Sequence, residues 1–191
     1  MALDPALRGT IRSAIDGRRC VFVAGLPASG KSLLVREIAR VAVERGRVVS
    51  LLQWDVARLP FDTPGILARY PEIGGVTHSA IRIAVGRWAR GAVLRWHRAH
   101  SDPRHLLVGE TPLVGGRLME LARPYEDEAE HLLAGDGTWF VLPVPSRAVR
   151  RAIEDAPTPS GTFLCYLLNR AELRALLERA YAEMKIAAGI Q

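Results

Sequence analysis

The chain has 191 residues, 49% of them hydrophobic and 24% charged, with a net charge of +6 at neutral pH. That is enough for one well-buried core and short for two, and the composition excludes a disordered or fibrous chain. No apolar run approaches the roughly 18 residues of a membrane span.

The opening stretch MALDPALRGTIRSAIDGRR has scattered charges and no apolar segment of the kind a leader carries, so a single cytoplasmic domain over residues 1–191 without a membrane partner is expected. Cys20 and Cys165 both sit among apolar residues, as small buried thiols do. The pI near 10.0 permits contact with phosphates or nucleic acid without requiring it.

Residues 6–16 have weak helical spacing, and RRCVFVAG is a short β-rich run that ends at Gly25. After it, SLLVREIARVAVERG places Leu33, Leu34, Ile38, Val41 and Ala42 on one helical face, with Gly46 as a stop. RVVSLLQWD predicts a second strand ending at Asp55, and the proline-rich segment behind it, 56–75, is expected to be mostly loop. A helix is predicted over 77–100 with an apolar stripe of Ile81, Val85, Trp88, Ala92 and Trp96, which makes the two tryptophans core residues.

HLLVGE is a third strand ending at Glu110, followed by a loop running into a helix around LMELARP, and then by an acidic helix and turn. TWFVLPVP is a fourth strand, with a helix opened by Ser146 behind it. TFLCYLL reads equally as a fifth strand or as the start of the terminal helix. Strands alternating with helices predict a mostly parallel, three-layered α/β sheet.

Between the first strand and its helix lies GLPASGKS, residues 25–32, which fills every position of the Walker A pattern G-x-x-x-x-G-K-[ST] in the context that pattern requires. Lys31 stands out further because the cations are almost all arginine, Lys185 being the other lysine. A compact ammonium suits a phosphate cradle, where composition alone would have supplied arginine. In such a loop the backbone of Gly25, Leu26, Pro27, Ala28, Ser29 and Gly30 gathers N–H groups on the nucleotide phosphates. Lys31 neutralises the β/γ oxygens and Ser32 ligates Mg²⁺.

GLPASGKS followed, after one helix and one strand, by DVAR at 55–58 resembles the small P-loop kinases, the polynucleotide kinase-like and metabolite kinase group of the P-loop NTPase superfamily. The resemblance is carried by the first third of the chain and beyond it only by element order. It implies a P-loop NTPase fold with four to five strands in the order 2-3-1-4, and ATP and Mg²⁺ as cofactors. The γ-phosphate goes to the hydroxyl of an acceptor, either a small metabolite or antibiotic or a nucleic-acid 5′-OH.

By that resemblance Asp55 is the general base and Arg58 contacts substrate or phosphate. Glu110, ending a strand as Walker B acids do, would serve metal or substrate, and Arg117 lies in a Gly-Gly loop close to the same edge. A short lid would follow the fourth strand over 146–161, bringing Arg147, Arg150 and Arg151 to the nucleotide. His97, His100 and His105 lie close in sequence without zinc spacing, so no structural zinc is expected.

Two other readings compete. DTPG at 62–65 and NRAE at 169–172 echo guanine-nucleotide switch and base-reading patterns, although DTPG follows a loop and NRAE departs from its pattern at two informative positions. A regulatory nucleotide-binding module that hydrolyses ATP slowly without an acceptor is the other alternative.

Overall fold

The structure, a computed structural model, describes residues 5–25, 29–112, 118–145 and 163–187. Its helices are α1 (Pro5–Ile15), α2 (Lys31–Glu44), α3 (Trp54–Arg58), α4 (Pro64–Arg69), α5 (Ser79–Ala99), α6 (Glu130–Ala134) and α7 (Arg170–Ala187). Its strands are β1 (Cys20–Gly25), β2 (Val48–Leu52), β3 (His105–Pro112), β4 (Thr138–Pro145) and β5 (Phe163–Leu168).

The strands form one sheet in the order β2-β3-β1-β4-β5. The first four are mutually parallel, the arrangement expected as 2-3-1-4, and β5 runs antiparallel on the outer side of β4. TFLCYLL therefore contributes a strand, with the terminal helix starting after it.

β1 is central, and all six of its residues are buried. Its alternation separates two apolar layers, because successive strand side chains point to opposite faces. Val21 and Val23 face Ile11 and Ile15 of α1 and Leu34, Ile38 and Val41 of α2. Cys20, Phe22 and Ala24 face Ile81, Val85 and Ala89 of α5 together with Trp54, Leu118 and Leu121. On α2 the inward face is Leu34, Val35, Ile38, Val41 and Ala42, while Leu33 is 38% exposed. Burial pushes the Cys20 thiol up to about 12, so it is an inert packing group. The side chain of Cys165 lies outside the described residues.

The edge of the sheet where the strands begin is tied by arginines. Arg47 donates to the carbonyls of Ile15 (2.7 Å), Arg18 (2.5 Å) and Arg104 (3.1 Å). Arg18 donates to the Asp136 carbonyl at 2.7 Å, and Arg19 to the carbonyls of His100 and Ser101. Trp96, His100 and His105 stack beside Arg19 at the same edge.

Several local expectations are corrected. β2 stops at Leu52, and Asp55 lies in the first turn of α3, because Trp54 and Ala57 bury themselves at helical spacing against the α5 layer. The segment expected to be mostly loop is largely helical: Pro60 and Pro64 open a 3₁₀ turn (Leu59–Phe61) and α4, where a proline's missing N–H costs nothing. The stripe of α5 is Ile81, Val85, Gly86, Ala89, Arg90 and Val93. Trp88 is 39% exposed and is not a core residue. After residue 117 the predicted helix is a single 3₁₀ turn, Met119–Leu121.

Candidate functional site

The predicted loop leaves the C-terminal end of β1 and enters α2, so it lies where parallel sheets open to ligands. Gly25 is paired with Pro112 at the end of β3. A Cβ on Gly25 would lie 2.8 Å from Ser29 Oγ and 3.5 Å from both Lys31 Cγ and Pro143 Cγ, so the chain turns back over a position that only glycine fills. Gly30 has φ 82°, a left-handed conformation that L side chains rarely adopt, and it hands the chain directly to Lys31, the first residue of α2.

The start of α2 has no side-chain cap and no acid in its first turn. Its first N–H groups and dipole therefore face the loop without an acid from the helix itself. Ser29, immediately before it, is 4% exposed, and its Oγ is buried with no hydrogen-bond partner among the described residues. Lys31 is buried to 9% and Ser32 is exposed on the first turn. Leu26, Pro27 and Ala28 lie outside the described residues, as do Arg117, Arg147, Arg150 and Arg151 and the segment expected to form a lid.

Glu110 is 9% exposed and pairs in register with Val23, two residues before Gly25. Strand alternation puts it on the same face as Val108 and Val23, the face covered by α2. A carboxylate, the Ser32 hydroxyl and the Lys31 ammonium thus belong to one corner, at the start of α2 and the end of β3. Two of the three, the carboxylate and the hydroxyl, carry oxygens of the kind hard divalent cations take as ligands.

Asp55 is exposed at the C-terminal end of β2, and no described group pairs with it. Arg58 is held differently: Nε donates to Asp62 at 2.8 Å, Nη1 to Thr77 Oγ1 at 2.8 Å, and Nη2 pairs with Glu72 at 2.6 Å. Those contacts pin the 59–77 excursion onto α3, and the Asp62 hydrogen bond holds the guanidinium above its ordinary value. The structure therefore gives Arg58 a packing task that sequence had not suggested.

The two guanine-nucleotide echoes also have local tasks. In DTPG, Asp62 receives Arg58 and Thr63 Oγ1 accepts the Ile66 N–H as the cap of α4. In NRAE, Asn169 Oδ1 accepts the Glu172 N–H at 2.9 Å while Glu172 Oε2 accepts the Asn169 N–H at 2.8 Å, a reciprocal capping box that starts α7.

No family model, no curated protein and no solved structure matches the chain. Its chemistry is therefore read from its own residues.

Two charged residues escaped the sequence reading. Arg90, 1% exposed on α5, donates to Asp127 through Nε (2.7 Å) and Nη2 (2.6 Å), to Glu130 at 2.9 Å, and to the carbonyls of Glu120 and Arg123. Arg170 closes the cluster by pairing with Glu130. Glu120 is 2% exposed in the turn after residue 117. Neither was legible, because arginine on an amphipathic helix and glutamate beside apolar residues both read as surface charge. No described helix is long and apolar enough to cross a membrane.

Proposed function

We propose that the chain is a P-loop phosphotransferase that moves the γ-phosphate of ATP to an acceptor hydroxyl. The observation that carries this reading is the Ser29 hydroxyl, buried and unpartnered between Gly25 and the uncapped start of α2. A buried donor without a partner costs stability, so its presence in a glycine-shaped turn points to a ligand that satisfies it. A phosphate oxygen fits, since it also meets the helix N–H groups and the Lys31 ammonium.

The residues divide the work as follows. The loop backbone and Ser29 orient the phosphates in line with the acceptor, which removes most of the entropic barrier. Lys31 offsets charge on the transferring group, buried enough that its field is little screened by water. Ser32 and Glu110 are the residues that would hold Mg²⁺, which when bound supplies further charge neutralisation on the phosphate oxygens.

Asp55 orients the acceptor O–H and takes its proton as the oxygen–phosphorus bond forms and the bond to the ADP oxygen breaks. Its position on the first turn of a short helix, exposed beyond the sheet edge, leaves it accessible to an acceptor. The Arg58 clasp supports this arrangement from behind by fixing the 59–77 segment that borders Asp55.

The test is ADP release from ATP·Mg²⁺ by wild type, Lys31→Ala and Asp55→Asn. Each is assayed without acceptor, with hydroxyl-bearing metabolites and antibiotics, and with 5′-hydroxyl oligonucleotides. Stimulation by one acceptor pool, lost in both variants, is expected. A slow rate indifferent to acceptor and to Asp55 would move the assignment to a regulatory ATPase, and full activity in Lys31→Ala would overturn the phosphate loop itself.

A further inference from the structure

Glu120 lies at the centre of the 3₁₀ turn Met119–Leu121, and its side chain meets α5 at the one buried position of that helix without a Cβ. A methyl group on Gly86 would come within 1.8 Å of Glu120 Oε2 and 2.4 Å of its Cδ. The carboxyl therefore rests directly on the backbone of the helix. Oε2 is buried with no hydrogen-bond partner among the described residues. Its surroundings at that point are the Cα–H groups of glycine, which are at most weak donors.

The turn is strained as well as buried. Leu118, which opens it, has φ 52° although it is a fully buried γ-branched residue. A left-handed leucine is strained and persists only where its surroundings impose it.

Charged groups surround the carboxyl at a distance. On α5 these are Arg82, Arg87 and Arg90, the last holding the Glu120 carbonyl at 2.7 Å. Arg123 follows on the same segment. β3, which also packs on the turn, carries His105 at its far end and Glu110 on the face toward α2. No described arginine reaches Oε2 with a hydrogen bond.

An ionised carboxylate placed so pays desolvation with its own backbone N–H as the donor and none at Oε2 among the described residues, whereas a neutral carboxyl pays little. We propose that Glu120 is a proton-operated latch: as the neutral acid it seats on Gly86 and fixes the turn, and on releasing its proton to solvent it leaves the notch for the surrounding arginines and frees the turn. Burial raises this carboxyl above its ordinary value of 4.5 against the hydrogen bond from its own backbone N–H and the pull of Arg123, Arg87 and Arg82, in keeping with the geometry. The latch does not depend on the phosphotransferase reading. It bears on the same region, since the turn follows β3, whose last residue pairs with Gly25.

The sign of the linkage follows directly. Between the ordinary and the raised value the folded chain binds the proton and the unfolded chain does not, so stability is full at lower pH and falls as pH rises through the folded value. The first measurement is urea unfolding of wild type and Glu120→Gln from pH 4 to pH 9. The folding constant of wild type should fall relative to the variant by up to about tenfold per pH unit within that window and run parallel above it. Parallel profiles throughout would overturn the proposal.

Amide exchange supplies the conformational arm. In wild type, residues 118–123 should lose protection as pH rises, after correction for intrinsic exchange, while Glu120→Gln keeps them protected. Equal protection in the two proteins refutes a latch. Gly86→Ala should open the turn at every pH, and Glu120→Ala in the same chain should restore its protection by making room for the added methyl group. Absence of that coupling refutes the seat on Gly86. Should a variant fail to fold, a ¹³C titration of the Glu120 carboxyl in the wild-type chain decides: a midpoint at the ordinary glutamate value overturns the proposal.

Discussion

Replacing Ser29 with alanine separates a hydroxyl kept for a ligand from one kept for packing. In the free protein Ser29 is 4% exposed and its Oγ has no partner among the described residues. An unsatisfied buried polar group costs about 1–3 kcal/mol. Removing it recovers part of that cost and loses only a few dispersion contacts, so Ser29→Ala should be more stable than wild type by about 1 kcal/mol. For a chain of this size that raises the thermal midpoint by roughly 2–4 °C.

With ATP·Mg²⁺ present the order should reverse. A hydrogen bond to a charged phosphate oxygen contributes about 1.5–3 kcal/mol, so the variant should bind about 10–100-fold more weakly. Urea unfolding without ligand and titration calorimetry with ATP·Mg²⁺ measure the two halves independently. A variant that is less stable and binds as well as wild type would falsify the assignment of this hydroxyl to phosphate.

Three further outcomes follow from the charged clusters. Arg90→Met removes the guanidinium that serves Asp127, Glu130 and two carbonyls, and should cost about 3 kcal/mol in urea unfolding, toward the low end for a broken buried pair because Asp127 is 41% exposed. Glu130 is held down to about 2, first by its hydrogen bond from Arg170. Its contribution is therefore present above the ordinary glutamate value and lost as pH falls toward 2, and the acid limb of the stability profile should be shallower in Glu130→Gln. Arg58→Ala should speed amide exchange across 59–77 while leaving the exchange of β1 unchanged; unaltered exchange in the excursion would show that the clasp is not what holds it.

The alternation of CVFVAG and the hand-over from strand to helix at Gly30 were legible because both follow local rules: a strand's period of two, and a glycine where the chain turns left-handed before α2. The boundary at Asp55 was not. Trp54 extends an apolar run in sequence, yet its indole is buried by a helix that starts one residue earlier and turns it onto the α5 layer. The stripe of α5 held at Ile81 and Val85 and departed at Trp88 for reasons of size. The helix sits so close to the 118–122 turn that small residues, Gly86 and Ala89, occupy the contact, and Trp88 is rotated outward.

Arg90 enters that stripe because its acids arrive from Asp127 and Glu130, and Glu120 is buried because its notch is a glycine on another element. Each of these pairings joins residues far apart in the chain. Local periodicity carries no trace of such partners, so a charge buried by one reads as a charge in water.

The arginine ties of Arg18, Arg19 and Arg47 lie at the edge where the strands begin, and the loop, Asp55 and Glu110 lie at the other. The ties that hold the strands together at one end are thus separate from the residues at the other. An engineer could exchange the segments around the open end, or insert new ones after β2 and β3, while the sewn end keeps the strands in register. The same asymmetry gives natural variation room to change the open end without renegotiating the scaffold.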